Sequence, residues 1–122
     1  MKPIILAALL SSFAVFSAGP VAADFSRITS EDQLRSQLVG KKMYDEHGNW
    51  FRWNADGTMS GHLKSGKKFV GVWKWSKKFV CRNGLVADKE LGTDCQLIEI
   101  DGAAVRFTRK KGKGKSSLLT LK

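Results

Sequence analysis

Residues 71–82 read Gly-Val-Trp-Lys-Trp-Ser-Lys-Lys-Phe-Val-Cys-Arg, with two tryptophans and a phenylalanine interleaved with four cations and no acid. In an extended chain successive side chains point to opposite faces. Phe69, Gly71, Trp73 and Trp75 then share one side, and Val70, Val72 and Lys74 the other. The same alternation sets Met59, Gly61 and Leu63 against Ser60, His62 and Lys64. It also sets Val105 and Phe107 against Arg106 and Thr108, and Leu119 and Leu121 against Thr120. One apolar face running through short strands is the pattern of an antiparallel sheet buried on one side. The tryptophans of this stretch are expected in the core and its lysines in water.

Working outward, turn signals recur every eight to twelve residues after Gly40. The expected strands are Lys41–Asp45, Trp50–Asn54, Thr58–Lys64, Phe69–Trp75, Phe79–Asn83, Cys95–Ile100, Ala103–Arg109 and Ser116–Leu121. Asp56-Gly57 and Asp101-Gly102 are hairpin signals. Gly84–Asp94 reads as a long polar loop and Lys110–Lys115 as a glycine-lysine loop. Before them, Ser30-Glu31-Asp32-Gln33 has the form of a helix capping box, with Ile28 as its staple, Leu34 and Leu38 on one face, and Gly40 to end it. The expected fold is all-β: a small antiparallel up-and-down barrel or tight sandwich of about eight short strands, with one short N-terminal helix. Closure removes edge strands. Strands of this length are too short for an outer-membrane barrel, which needs about 9–11 residues each.

Residues 1–23 read as a signal peptide. Met1-Lys2 is followed by an apolar run from Ile4 to Ala18, and Val21-Ala22-Ala23 presents small residues for cleavage after Ala23. The run is too short for an anchor. Residues 24–122 are then a single β-rich domain, expected to be a monomer in the periplasm or secreted. A chain of this size buries roughly 60–70 % of its unfolded surface, so a covalent staple helps. Cys81 and Cys95 are the only cysteines, and an exported chain meets oxidising conditions, so they are expected to form a disulfide. A metal site would have to recruit His47 and His62, and no ligand spacing supports one. No cofactor is expected.

The formal charge of +10 is unevenly spread. Residues 64–82 hold seven cations and no acid, as do residues 102–122, and the segment between them is acidic. Lys64, Lys67, Lys68, Lys74, Lys77 and Lys78 in the first block, and Arg109, Lys110, Lys111, Lys113 and Lys115 in the second, are the candidate contacts for an anionic partner. Whether the blocks meet depends on strand order. Trp50 and Trp53 fall on opposite faces of a regular strand, so one of them is a candidate for an exposed aromatic at a barrel mouth beside Arg52. The alternative is an aromatic packed under the helix.

Catalytic motifs are missing: there is no G-x-S-x-G, no H-E-x-x-H and no free cysteine if the disulfide forms. Gly112-Lys113-Gly114-Lys115 lacks the frame of a phosphate loop. The run Gly71-x-Trp73-x-Trp75, Cys81-Arg82, Cys95-Gln96, Asp101-Gly102 and the basic glycine-rich loop resembles a group of short exported bacterial proteins of unassigned function. Some of these carry the label dihydrodipicolinate reductase. No dinucleotide fingerprint or βαβ unit supports that activity here. The Gly71-x-Trp73 strand also resembles part of the calycin pattern, displaced to mid-chain. The leading expectation is a non-catalytic exported binding or accessory protein whose basic blocks meet an anionic envelope component or acidic protein. The alternative is a carrier of an apolar ligand, with Phe69, Trp73, Trp75 and Met59 around a cavity that so many rings could instead fill. Single-stranded nucleic acid is a third and less favoured partner.

Overall fold

A computed structural model describes residues 24–122. The expected signal segment, residues 1–23, lies outside them. In chain order the elements are β1 (Ser26–Arg27), α1 (Glu31–Gln37), β2 (Lys42–Tyr44), β3 (Trp50–Trp53), β4 (Thr58–His62), β5 (Lys68–Ser76), β6 (Phe79–Val86), β7 (Lys89–Glu90), β8 (Asp94–Asp101), β9 (Ala104–Thr108) and β10 (Ser116–Leu121).

Strands β2 to β6 pair antiparallel in sequence order, β6 pairs with β8, β8 to β10 continue the meander, and β10 returns to β2. The result is a closed antiparallel barrel of eight strands, so the sandwich alternative falls away. The β6–β8 seam carries the disulfide, with Cys81 and Cys95 directly opposite one another in register. That pairing removes both thiolates from any metal site. Strand β1 continues the seam where β6 stops, pairing Ser26 with Ile100 and Arg27 with Glu99.

The core follows the alternation. Met43, Trp53, Met59, Phe69, Trp73, Val80, Ile98, Val105, Phe107 and Leu119 point inward and are buried. Trp75 packs half-buried against them. Helix α1 closes one end of the barrel with Leu34 and Leu38, both fully buried. It starts where Ser30 Oγ accepts the Gln33 N–H at 3.1 Å and Gln33 Oε1 accepts the Thr29 N–H at 3.0 Å. Its exit is tied to β3, where the Gly40 N–H donates to the Trp53 carbonyl at 2.8 Å.

Two expectations about the strands need correction. Gly84–Asp94 is not one loop. Gly84, Leu85 and Val86 extend β6, and the chain folds back through Ala87 and Asp88 into β7. Both turn residues have positive φ (46° and 70°), as a tight two-residue hairpin of this hand demands. Gly84 belongs in the strand because Phe69 lies against its Cα side; a Cβ there would sit 2.7 Å from the ring. Nor are the strands all short: β5 has nine residues, and β6 and β8 have eight each. Their outward positions nevertheless include Lys68, Lys74 and Glu99, unlike the apolar outer band of a membrane barrel. Among the described residues no helix is long and apolar enough to cross a membrane.

Candidate functional site: an open mouth and a cationic wall

The end of the barrel opposite α1 is open. A cavity of about 610 Å³ lies there, floored by inward side chains that include Met43, Phe51, Trp53, Met59 and Phe107. The rings are fixed by one another. Trp53 meets Phe107 edge-on at 5.4 Å and stacks on Trp73 at 5.9 Å, while Phe51 meets Phe69 edge-on at 5.4 Å. Trp73 is held from below, its Nε1–H donating to the Asn54 carbonyl at 3.0 Å.

The rim differs from side to side. On one side the β2–β3 turn brings Asp45, Glu46 and His47. Asp45 accepts the His47 N–H at 2.9 Å, the Asn49 N–H at 3.0 Å and the Asn49 amide at 2.8 Å. Partial burial pushes its pKa up, but these hydrogen bonds, Asn49's first, outweigh that and hold the carboxyl below its ordinary value. The other side carries Gln96 and Arg109. Gln96 donates to Asp94 at 3.0 Å, and Asp94 also accepts the Lys110 N–H at 3.0 Å.

Arg82 joins this polar group from β6, which lies across the barrel from β2. Only 9 % exposed, it points inward and donates to the Gly92 carbonyl at 3.2 Å. Burial lowers its pKa; the neighbouring Asp94 charge opposes that and Arg109 adds to it. The sequence reading did not single out Arg82, although its β6 phase, between Val80 and Gly84 on the inward side, is the signal that marks it. Phe107 was already on the expected apolar face, but Met43, Phe51 and Gln96 were given no face, and strands far apart in the chain bring the four together.

The cavity is not where the sequence placed it. Of the expected lining, Met59 is present, but Phe69 and Trp73 are buried in the packed interior and Trp75 is half-buried outside the cavity lining. Trp53 is not an exposed aromatic either: it is 2 % exposed and sits in the floor, because its strand puts it opposite Met59 on the inner face. Trp50 and Arg52 are on the outer face and half-buried. Lys42 Nζ stands 4.4 Å above the Trp50 ring centre, the Arg52 guanidinium is at 5.7 Å, and His62 packs at 4.9 Å.

The basic blocks are divided. Lys64 and Lys67 lie in the β4–β5 turn beside the mouth, where the Lys64 N–H donates to Asn49 at 2.8 Å. Lys68 and Lys74 point outward from β5, and Lys77 and Lys78 form the β5–β6 turn. Arg109, Lys110, Lys111, Lys113 and Lys115 lie in the β9–β10 turn. Part of the second block meets part of the first at Phe79. Lys111 Nζ stands 6.0 Å from that ring and Arg27 5.0 Å from it, and Arg27 also donates to the Lys78 carbonyl at 3.0 Å. Among the described residues the ion pairs are Arg35–Glu31, His47–Glu46 and Arg106–Glu99, so of the two blocks only Arg106 is paired with an acid, and none of the candidate contact cations is. No family model matches this chain, and neither a curated protein nor a solved structure does, so its function is argued from this geometry.

Proposed function

We propose that the chain is a non-catalytic binding protein whose mouth takes a small molecule with an apolar body and an anionic head. The cavity carries this reading. Its volume falls inside the range of about 300–1,000 Å³ usual for small-ligand pockets, and its floor of methionines and aromatic rings suits an apolar body. The head faces Arg109 and Gln96 rather than Asp45 and Glu46, because like charges repel on the acidic side. Barrels of about eight strands can be filled by side chains or hold one small ligand. Here side chains fill part of the interior and leave a cavity at the mouth.

Binding of an anilinonaphthalene dye, and its displacement by a long-chain carboxylate and by the matching neutral alcohol, tests the proposal. Ser117→Phe, which places a ring in the mouth from β10, should abolish dye binding while leaving the fold intact. Arg109→Glu should weaken the carboxylate about tenfold and leave the alcohol nearly unchanged. Dye that binds Ser117→Phe as well as the parent protein would refute the site.

A second reading is supported by the unpaired block cations: the protein also contacts an anionic envelope component or an acidic partner through its outer surface. Attraction of that kind should collapse in about 0.5 M salt, where the screening length is a few ångströms.

A further inference from the structure

The outer faces of β2 to β5 form an acid-free wall. Lys42, Arg52, Lys68 and Lys74 point outward from it, joined by His62; acids occur in the turns at its corners and, beyond β6, at Glu90 of β7, which shares a groove with Val70 and Val72. The wall is also apolar in its middle, with Val70 and Val72 50 % and 56 % exposed, side by side on β5 between the two lysines. Trp50 lies two strands away with Lys42 and Arg52 on its ring. An exposed apolar patch rimmed by polar groups marks an interaction surface. Tryptophan and long cations around exposed aliphatic side chains is the composition that settles at a lipid interface.

We infer that this wall docks on an anionic lipid bilayer, an inference that rests on the anionic-partner reading and names the partner and the place. The valines enter the headgroup region, Lys68 and Lys74 reach lipid phosphates at either end of β5, and Arg52 and Lys42 do so from the flank. A bilayer is flat and the barrel round, so contact is confined to about three neighbouring strands, β3 to β5, with long side chains reaching in from their edges. A solvated acidic protein would have no use for the exposed valines, and a stacking nucleic acid base would find the Trp50 ring already occupied by Lys42 and His62.

The test is sedimentation of the purified, oxidised protein with vesicles of phosphatidylglycerol mixed into phosphatidylcholine, and with phosphatidylcholine alone. Binding should require the anionic lipid. Lys68→Glu with Lys74→Glu should lower the partition coefficient at least tenfold, at about fivefold or more per cation. Val70→Asp should lower it too. Lys113→Glu with Lys115→Glu, the same charge change in the β9–β10 turn, should lower it less than threefold. Equal losses from the wall and turn variants would overturn the assignment of the site while leaving an anionic partner in place. Equal binding to phosphatidylcholine alone would overturn the role of charge. Capture of a polyuronate or single-stranded DNA but not of vesicles would keep the anionic-partner reading and refute the lipid; capture of none of them would refute both. All substituted positions point outward, and an unchanged thermal transition shows that a loss is not unfolding.

Discussion

The two ends of the barrel are built from the same strands and end differently. At one, α1 lies across the opening, Leu34 and Leu38 are fully buried, and Arg35 both covers the Trp73 ring at 5.0 Å and donates to the Ala55 carbonyl at 2.9 Å. At the other, a polar turn held by Asp45 and the free half of β10 leave the aromatic floor open. Alternation along the strands is the same at both ends. What differs is the residues at the strand ends, a capped amphipathic helix against polar turns. Apolar burial, at roughly 25 cal/mol per Å², is therefore spent on stability at one end and left unspent at the other, where a ligand can claim it.

The largest effect should come from removing the wall between the ends. Trp53 touches both, stacked on Trp73 toward the helix and edge-on to Phe107 in the floor. Trp53→Ala should cost about 4 kcal/mol in urea denaturation, since it removes a fully buried ring that its neighbours cannot collapse to replace. A cost below about 1 kcal/mol would mean that the two ends are already one loosely filled space and that the contrast is false.

How much of this was legible in the sequence depends on how local the determining contact is. The period-two faces of β4, β5, β9 and β10 come from residues two apart, and all of them are realised. The extension of β6 was hidden because Gly84 and Ala87-Asp88 look like loop. Gly84 is instead required by Phe69, fifteen places earlier in the chain, and Ala87 takes a positive φ that its side chain does not advertise. Trp50 and Trp53 were correctly assigned to opposite faces. Which one went in was settled by β3 pairing Phe51 with Met43 and Trp53 with Met59, a matter of register against other strands. The cavity was least legible, since its floor gathers side chains from β2, β3, β4 and β9.

The second prediction tests whether the barrel wall across from β2 owes its firmness to the staple rather than to packing. The disulfide closes a loop with a sequence separation of 14 across the β6–β8 seam. The β10–β2 seam, which flanks the cavity, has only the pairs Thr120–Tyr44 and Leu121–Met43. Cys81→Ser with Cys95→Ser should cost about 3 kcal/mol on the chain-entropy model and should leave dye affinity in the mouth within about twofold, because the apolar floor comes from other strands and, of the cavity lining, only Gln96 stands on this seam. A parallel loss of affinity in protein that is still folded would show that the two seams are coupled.

The smallest effect is the sharpest comparison, because each end has one turn organised by a carboxylate. Asp45 accepts the Asn49 N–H at 3.0 Å at the mouth, and Asp56 accepts the Thr58 N–H at 2.9 Å at the helix end. Both carboxyls lie below their ordinary value of 3.8: burial raises Asp45 but the hydrogen bonds from Asn49 and His47 prevail, and the Thr58 hydroxyl and amide lower Asp56. A depressed carboxyl stabilises the fold fully above its unfolded value, and that contribution is lost as pH falls through the lower folded one. Acid should therefore loosen both turns in the same window, beginning just under 3.8. The consequences should differ. At the helix end the turn is still held by the Trp73 N–H on the Gly57 carbonyl at 2.9 Å and by Arg35 on Ala55 at 2.9 Å, neither of which titrates in that window. At the mouth the remaining ties are within the turn and to the neighbouring Lys64 amide at 2.8 Å, with no packed element above them. Amide exchange protection, corrected for intrinsic rates, should fall further at Asn49 than at Thr58 between about pH 5 and pH 2. Equal losses at the two amides would show that α1 does not secure the end it covers, and that the mouth is open for a reason other than the missing helix.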